Sequence, residues 1–182
     1  MTIQDKINKA AKILMSGGVI AFPTDTVYGI GASINKSSAI KRIFKLKKRP
    51  RNKPLQVLIA SIEQAIELGE FSTKALKLAK KSWPGPLTLV VYKTKKVPKL
   101  VTGGSSKVGL RIPAHSTILK LIRKCGPIVA TSANKAEEKP ALTARQVEIS
   151  LPKLDYIISG RVRIGQPSRV IDATSGFKIL RP

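Results

Sequence analysis

Short apolar runs alternate along this chain with amphipathic stretches of helical period, and no other sequence feature limits its fold as tightly. Residues 3–15 place Ile3, Ile7, Ala10 and Leu14 on one helical face, and Gly17-Gly18 stops the helix. Val19-Ile20-Ala21-Phe22 suits a buried strand. Residues 37–47 return to helix, with Ile40, Ile43 and Phe44 inward and lysines outward. Leu55–Ala60 reads as another buried strand, and Ser61-Ile62-Glu63-Gln64 as a capping box opening the next helix. A helix over 72–82 ends at Trp83-Pro84-Gly85-Pro86, a forced turn. Strands are expected at 87–92, 107–112 and 127–131, with a helix near 116–124 stopped by Gly126. Thr143-Ala144-Arg145-Gln146 is a second capping box. β-rich pieces follow at 155–158, 168–172 and 177–181, the last two joined by the turn-like Ala173–Gly176. This pattern predicts an α/β or α+β sheet with helices packed on it.

No repeat or long linker interrupts the chain, and its 182 residues suit one domain, 1–182. No apolar run approaches the roughly 20 residues of a membrane span. The N-terminus lacks a signal-peptide progression. One cysteine, Cys125, precludes an internal disulfide and fits a buried structural thiol in a cytoplasmic protein. Lys and Arg number 34 against 10 Asp and Glu, a net charge of +24 that favours polyanionic partners or a diffuse solvated coat. Aromatics at 4% argue against a stacking platform for single-stranded bases.

With one histidine, His115, and one cysteine, a zinc cluster cannot be assembled; a Ser-His-Asp triad would have to use His115, and nothing like a nucleophile elbow accompanies it. The phosphate loops GxxxxGK[ST] and GxGxxG are missing too. An enzyme built from these residues works by positioning and by electrostatic stabilisation of anions. Four segments can do that. Phe22–Gly31 leaves a strand and enters a loop with Thr24 and Thr26 flanking Asp25, while Gly29 and Gly31 permit close approach of a ligand. The same loop could be an ordinary turn closed by Thr24 and Asp25. Lys45–Leu55 carries a dense set of cations in a loop restricted by Pro50 and Pro54, suited to a triphosphate or to a solvated helix end. Ile128–Asn134 is a strand ending in hydroxyls and an amide, where ligands of α/β sheets usually bind. Arg111, inside the apolar strand Val108–Ile112, needs an anion, either a protein carboxylate or a substrate's.

In this order, FPTDTVYGIGA, KLKKRPRNKPL, SWPGPLTLVV, VGLRIPAH, VATSAN and PSRVIDATSG resemble the YrdC/TsaC family, the threonylcarbamoyl-AMP synthases, from residue 18 to the C-terminus. The resemblance implies a twisted mixed β-sheet flanked by helices around a positively charged concave cavity. It also implies a reaction joining L-threonine, bicarbonate or CO2, and ATP (with Mg2+) into threonylcarbamoyl-AMP and diphosphate. TsaB-, TsaD- and TsaE-like partners then serve tRNA modification, and the basic charge suits tRNA or double-stranded RNA. By the same resemblance Lys47 and Arg49 are the catalytic Lys-x-Arg pair. Thr24, Thr26, Arg111, Ala130 and Ser168 would hold threonine. Lys47, Arg49, Lys53, Ser132, Asn134 and Arg181 would hold the nucleotide.

Some positions depart from the family pattern. Leu58 stands where long-form members have a threonine-contacting histidine, and Lys107 where they have a small hydroxyl residue. The stretch Lys135–Ala141 replaces a Ser-Gly-x-Pro-Ser type loop. The chain resembles the short form.

Overall fold

The predicted helices form close to their expected limits in the computed structural model, which describes residues 2–136 and 138–182. They are α1 (Ile3–Met15), α2 (Ser37–Lys47), α3 (Ile62–Leu68), α4 (Thr73–Ser82), α5 (Ser116–Cys125) and α6 (Ala144–Ser150). A reciprocal Thr2–Asp5 capping box opens α1. Ile3, expected inward, is 47% exposed, because the apolar face that meets α5 begins one turn later at Ile7. The box at Thr143–Gln146 is complete. At Ser61 only half forms: Ser61 caps the Gln64 amide, while Gln64 Oε1 accepts from the Ala60 amide instead.

The strands are β1 (Ile20–Pro23), β2 (Tyr28–Ser33), β3 (Gln56–Leu58), β4 (Gly69–Glu70), β5 (Leu87–Lys93), β6 (Lys107–Arg111), β7 (Ile128–Ser132), β8 (Tyr156–Ile157), β9 (Arg169–Asp172) and β10 (Lys178–Arg181). They join in one mixed sheet, β10-β9-β5-β6-β3-β7-β2-β1-β8, with β4 against β5. β2 corrects the expectation of a loop through Gly31: it pairs antiparallel with both β1 and β7. Its glycines also serve a purpose beyond the expected one. A Cβ on Gly31 would lie 2.6 Å from Ile128 Cγ2, and one on Gly29 2.9 Å from Phe22 Cε2. They admit close packing within the protein, and Gly29 also lines the cavity over the sheet.

Alternation along the strands separates two cores. Val57, Leu89, Leu110 and Val129 face α2, α3, α4 and α6 in the larger one. Leu58, Ile128 and Ala130 face the other way, where Ile20, Phe22, α1 and α5 complete the smaller core. These two helices cover only part of that face. The rest stays open as a cavity of about 260 Å³ over the middle of the sheet.

Candidate functional site

One end of the cavity is the β1–β2 connection, where Thr24, Asp25 and Thr26 are all buried. Thr24 Oγ1 accepts from the amides of Thr26 (3.1 Å) and Val27 (3.3 Å) and donates to the Val27 carbonyl (2.7 Å), so it closes the turn. Its proton is thereby used, and Thr26 donates in the 2.9 Å contact between the two hydroxyls. Both threonines nevertheless line the cavity.

Arg111 reaches the same turn from β6. Its Nη2 donates to Asp25 Oδ1 (2.6 Å), Nη1 to Thr26 Oγ1 (2.9 Å) and Nε to the Gly85 carbonyl (3.0 Å). The anion that a buried arginine requires is therefore a protein carboxylate, with both side chains 2% exposed. Burial lowers the Arg111 pKa and Asp25 pulls it back up. Asp25 Oδ2 has no partner among the described residues. Two backbone bonds brace the turn from behind, Ile164 N to Asp25 O and Gly165 N to Thr26 O, each 2.9 Å.

The opposite wall begins at the end of α2. Lys48 takes the left-handed conformation (φ 52°) as C-cap, which splits the two halves of the basic pair. Lys47, 2% exposed, turns into the protein and donates to the carbonyls of Ser132 and Asn134. Burial, with Arg49 adding and Glu138 opposing, lowers its ammonium from 10.5 to about 8. Arg49 faces the cavity, donates to the Pro54 carbonyl (2.9 Å), and keeps a buried Nε with no partner among the described residues. Lys53 is exposed and lies outside the lining. Asn134 also lies outside it; its amide nitrogen holds the carbonyls of Lys135 (2.8 Å) and Glu138 (2.7 Å). Glu137 falls outside the described residues.

Between the walls, Val90, Gly109, Gln56 and Ala130 stand side by side across β5, β6, β3 and β7. Leu58 is the register partner of Arg111, an apolar patch beside the buried ion pair. Ser168 and Arg181 complete the lining, Arg181 donating to the Ser168 carbonyl (2.7 Å) and hydroxyl (3.1 Å). The sequence reading missed Gln56 and Thr88, which also line the cavity; nothing in QVL or LTL distinguishes a ligand-facing residue from a filler. Lys107 sits outside, paired with Asp172 (2.8 Å). His115 stands at the N-cap position of α5 with no capping bond from its side chain, and Cys125 is a half-buried thiol pushed up to about 11 by burial.

Three arginines and no carboxylate line the cavity among the described residues. Such a wall suits an anionic ligand with several oxygens. Among the described residues no group of three or more His, Cys, Asp or Glu could hold a metal ion, and no helix is long and apolar enough to cross a membrane.

A family model named Sua5_yciO_yrdC, described as "Telomere recombination", matches residues 12–182. The chain is 46% identical to a threonylcarbamoyl-AMP synthase of Pyrococcus abyssi over 96% of its own length, but spans only 53% of that relative. It is 35% identical to a threonylcarbamoyl-AMP synthase of Psychromonas ingrahamii, covering 97% of this chain and 96% of the relative. The crystal structure of P. abyssi Sua5 complexed with L-threonine superposes with a TM-score of 0.94 at 44% identity, over 98% of this chain and 54% of that one. By sequence and by fold, this chain belongs to the Sua5/YciO/YrdC family.

Proposed function

We propose that this chain converts L-threonine, bicarbonate or CO2, and ATP into threonylcarbamoyl-AMP and diphosphate, for threonylcarbamoyladenosine modification of tRNAs reading codons that begin with adenine. The observation that carries this reading is the two-ended cavity. A hydroxyl-rich pocket at Thr24 and Thr26, beside an Arg111 neutralised by Asp25, faces Arg49, whose Nε has no partner among the described residues, and among those residues no cysteine, histidine or carboxylate lines the cavity between them. In this reading residues 1–182 act as one YrdC-like domain in the cytoplasm.

The pocket with Arg111, Ala130 and Ser168 takes threonine, and Arg49, Ser132 and Arg181 take the nucleotide. Lys47 acts by holding the Ser132–Asn134 carbonyls and, once ligand arrives, by its charge; Lys53 and Asn134 would join only if the loops move inward. Mg2+ travels with the triphosphate oxygens. The amine of threonine bonds to the carbon of CO2 and loses a proton. A carbamate oxygen then attacks the α-phosphorus, and diphosphate leaves with the cleaved P–O bond. Positioning and charge neutralisation supply the rate.

Purified protein should release diphosphate only when threonine, bicarbonate, ATP and Mg2+ are all present. Release without threonine, or none with all four, rejects the reading. A second reading rests on the +24 charge: affinity for tRNA or double-stranded RNA, compatible with hand-over to TsaB-, TsaD- and TsaE-like proteins. That affinity should fall steeply as salt rises.

A further inference from the structure

A chain of hydrogen bonds crosses the cavity floor, and its direction is set by its ends. Arg181 can only donate, and it donates to Ser168 Oγ (3.1 Å). Ser168 and Thr88 share a proton at 2.9 Å, and Thr88 Oγ1 donates to Gln56 Oε1 at 2.9 Å. With Thr88's proton committed to Gln56, the proton between the two hydroxyls is Ser168's. The order is Arg181 to Ser168 to Thr88 to Gln56, each bond polarising the next. Its far end is a carboxamide whose oxygen is occupied and whose NH2 lies at the cavity surface. Gly109, between Thr88 and Gln56 in the sheet, leaves the space above them open; a Cβ there would come within 3.1 Å of Thr88 Cγ2.

We propose that Gln56 is a substrate-binding residue, aligned by Thr88, whose NH2 donates to the carboxylate derived from bicarbonate. The proposal rests on the activity given above and assigns a residue to the substrate that no residue yet serves. Gln56 and Leu58 are alternate residues of β3 facing the cavity, about 7 Å apart. Leu58 lies beside Arg111 at the threonine end, and Gln56 is two residues nearer Pro54 and Arg49. The new carboxylate is bonded to the threonine nitrogen and must reach the α-phosphorus, so it occupies this intermediate position. A neutral donor suits it: it fixes the oxygens while leaving their nucleophilicity less diminished than a cation would.

The test is diphosphate release by the wild type and by Gln56→Leu, Gln56→Glu, Thr88→Val and Thr88→Ser, with each substrate varied in turn. Gln56→Leu should raise the KM for bicarbonate about 10- to 100-fold, as expected for losing a hydrogen bond to a charged acceptor. The KM values for threonine and ATP should change by less than about threefold, on the same scale. Gln56→Glu should be at least as impaired, because it sets a carboxylate against a carboxylate. Thr88→Val should show a smaller bicarbonate effect, and Thr88→Ser should restore it. Should Gln56→Leu fail to fold, Gln56→Glu and the Thr88 pair decide alone. An unchanged bicarbonate KM in an active Gln56 variant, or a selective rise in the ATP or threonine KM, overturns the assignment of Gln56 only. A wild-type protein that never releases diphosphate overturns the activity and this assignment together.

Discussion

Replacing Arg111 with methionine strands the Asp25 carboxylate inside the protein. Both side chains are 2% exposed, and the arginine also holds Thr26 Oγ1 and the Gly85 carbonyl. Breaking one side of such a pair costs about 3–5 kcal/mol, chiefly the penalty of an uncompensated buried charge. In a chain of 182 residues each kcal/mol moves the melting temperature by about 2–4 °C, so Arg111→Met should melt about 6–20 °C lower. Calorimetry at pH 7 measures this directly, and because the pair is buried the loss should survive high salt. The double variant Asp25→Asn with Arg111→Met removes both charges and should recover most of the loss. A single variant melting within about 2 °C of the wild type would show that the pair is not what stabilises the turn. So would a double variant that merely adds the two single losses.

Arg49→Ala loses one hydrogen bond, to Pro54, so stability should move by no more than about 1 kcal/mol. Diphosphate release should nonetheless fall about a hundredfold or more, and a fully active, folded variant removes Arg49 from the site. Lys47 predicts a stability that depends on pH. Its pKa is near 8 when folded and 10.5 when free, so between these values the unfolded chain holds more proton. Stability should therefore rise from pH 8 to 10.5, and urea titrations of Lys47→Met should lack that rise. Gly31→Ala puts a Cβ 2.6 Å from Ile128 Cγ2 and 2.9 Å from the Val129 carbonyl oxygen. It should cost about 1–3 kcal/mol in chemical denaturation, and an unperturbed variant would refute the close packing of β2 on β7.

Most helices were legible because their stop signals and apolar faces are local. The strand β2 was not. Tyr28-Gly29-Ile30-Gly31 reads as a loop by propensity, and only its neighbours Phe22 and Ile128 show why glycine is needed there. The cavity's residues were largely readable from the ordered segments, but their roles depend on contacts remote in sequence. Arg111 meets Asp25 across 86 positions, which no local pattern encodes. Lys47 and Arg49 look equivalent in a basic run, and the left-handed Lys48 between them sends one inward and leaves the other facing the cavity. Gln56 and Thr88 carry no signal at all until β3, β5 and β9 are laid side by side.

The two backbone bonds from Ile164 and Gly165 to the Thr24–Val27 turn make that end of the cavity depend on a surface strip that contributes nothing to the lining. Arg161 and Arg163 on that strip are exposed, and both are trypsin cleavage points. A single nick there would leave every lining residue in the chain yet release the turn that shapes them. Loss of activity on such a cut would come from a severed brace, and a ligand seated against the turn should slow the protease.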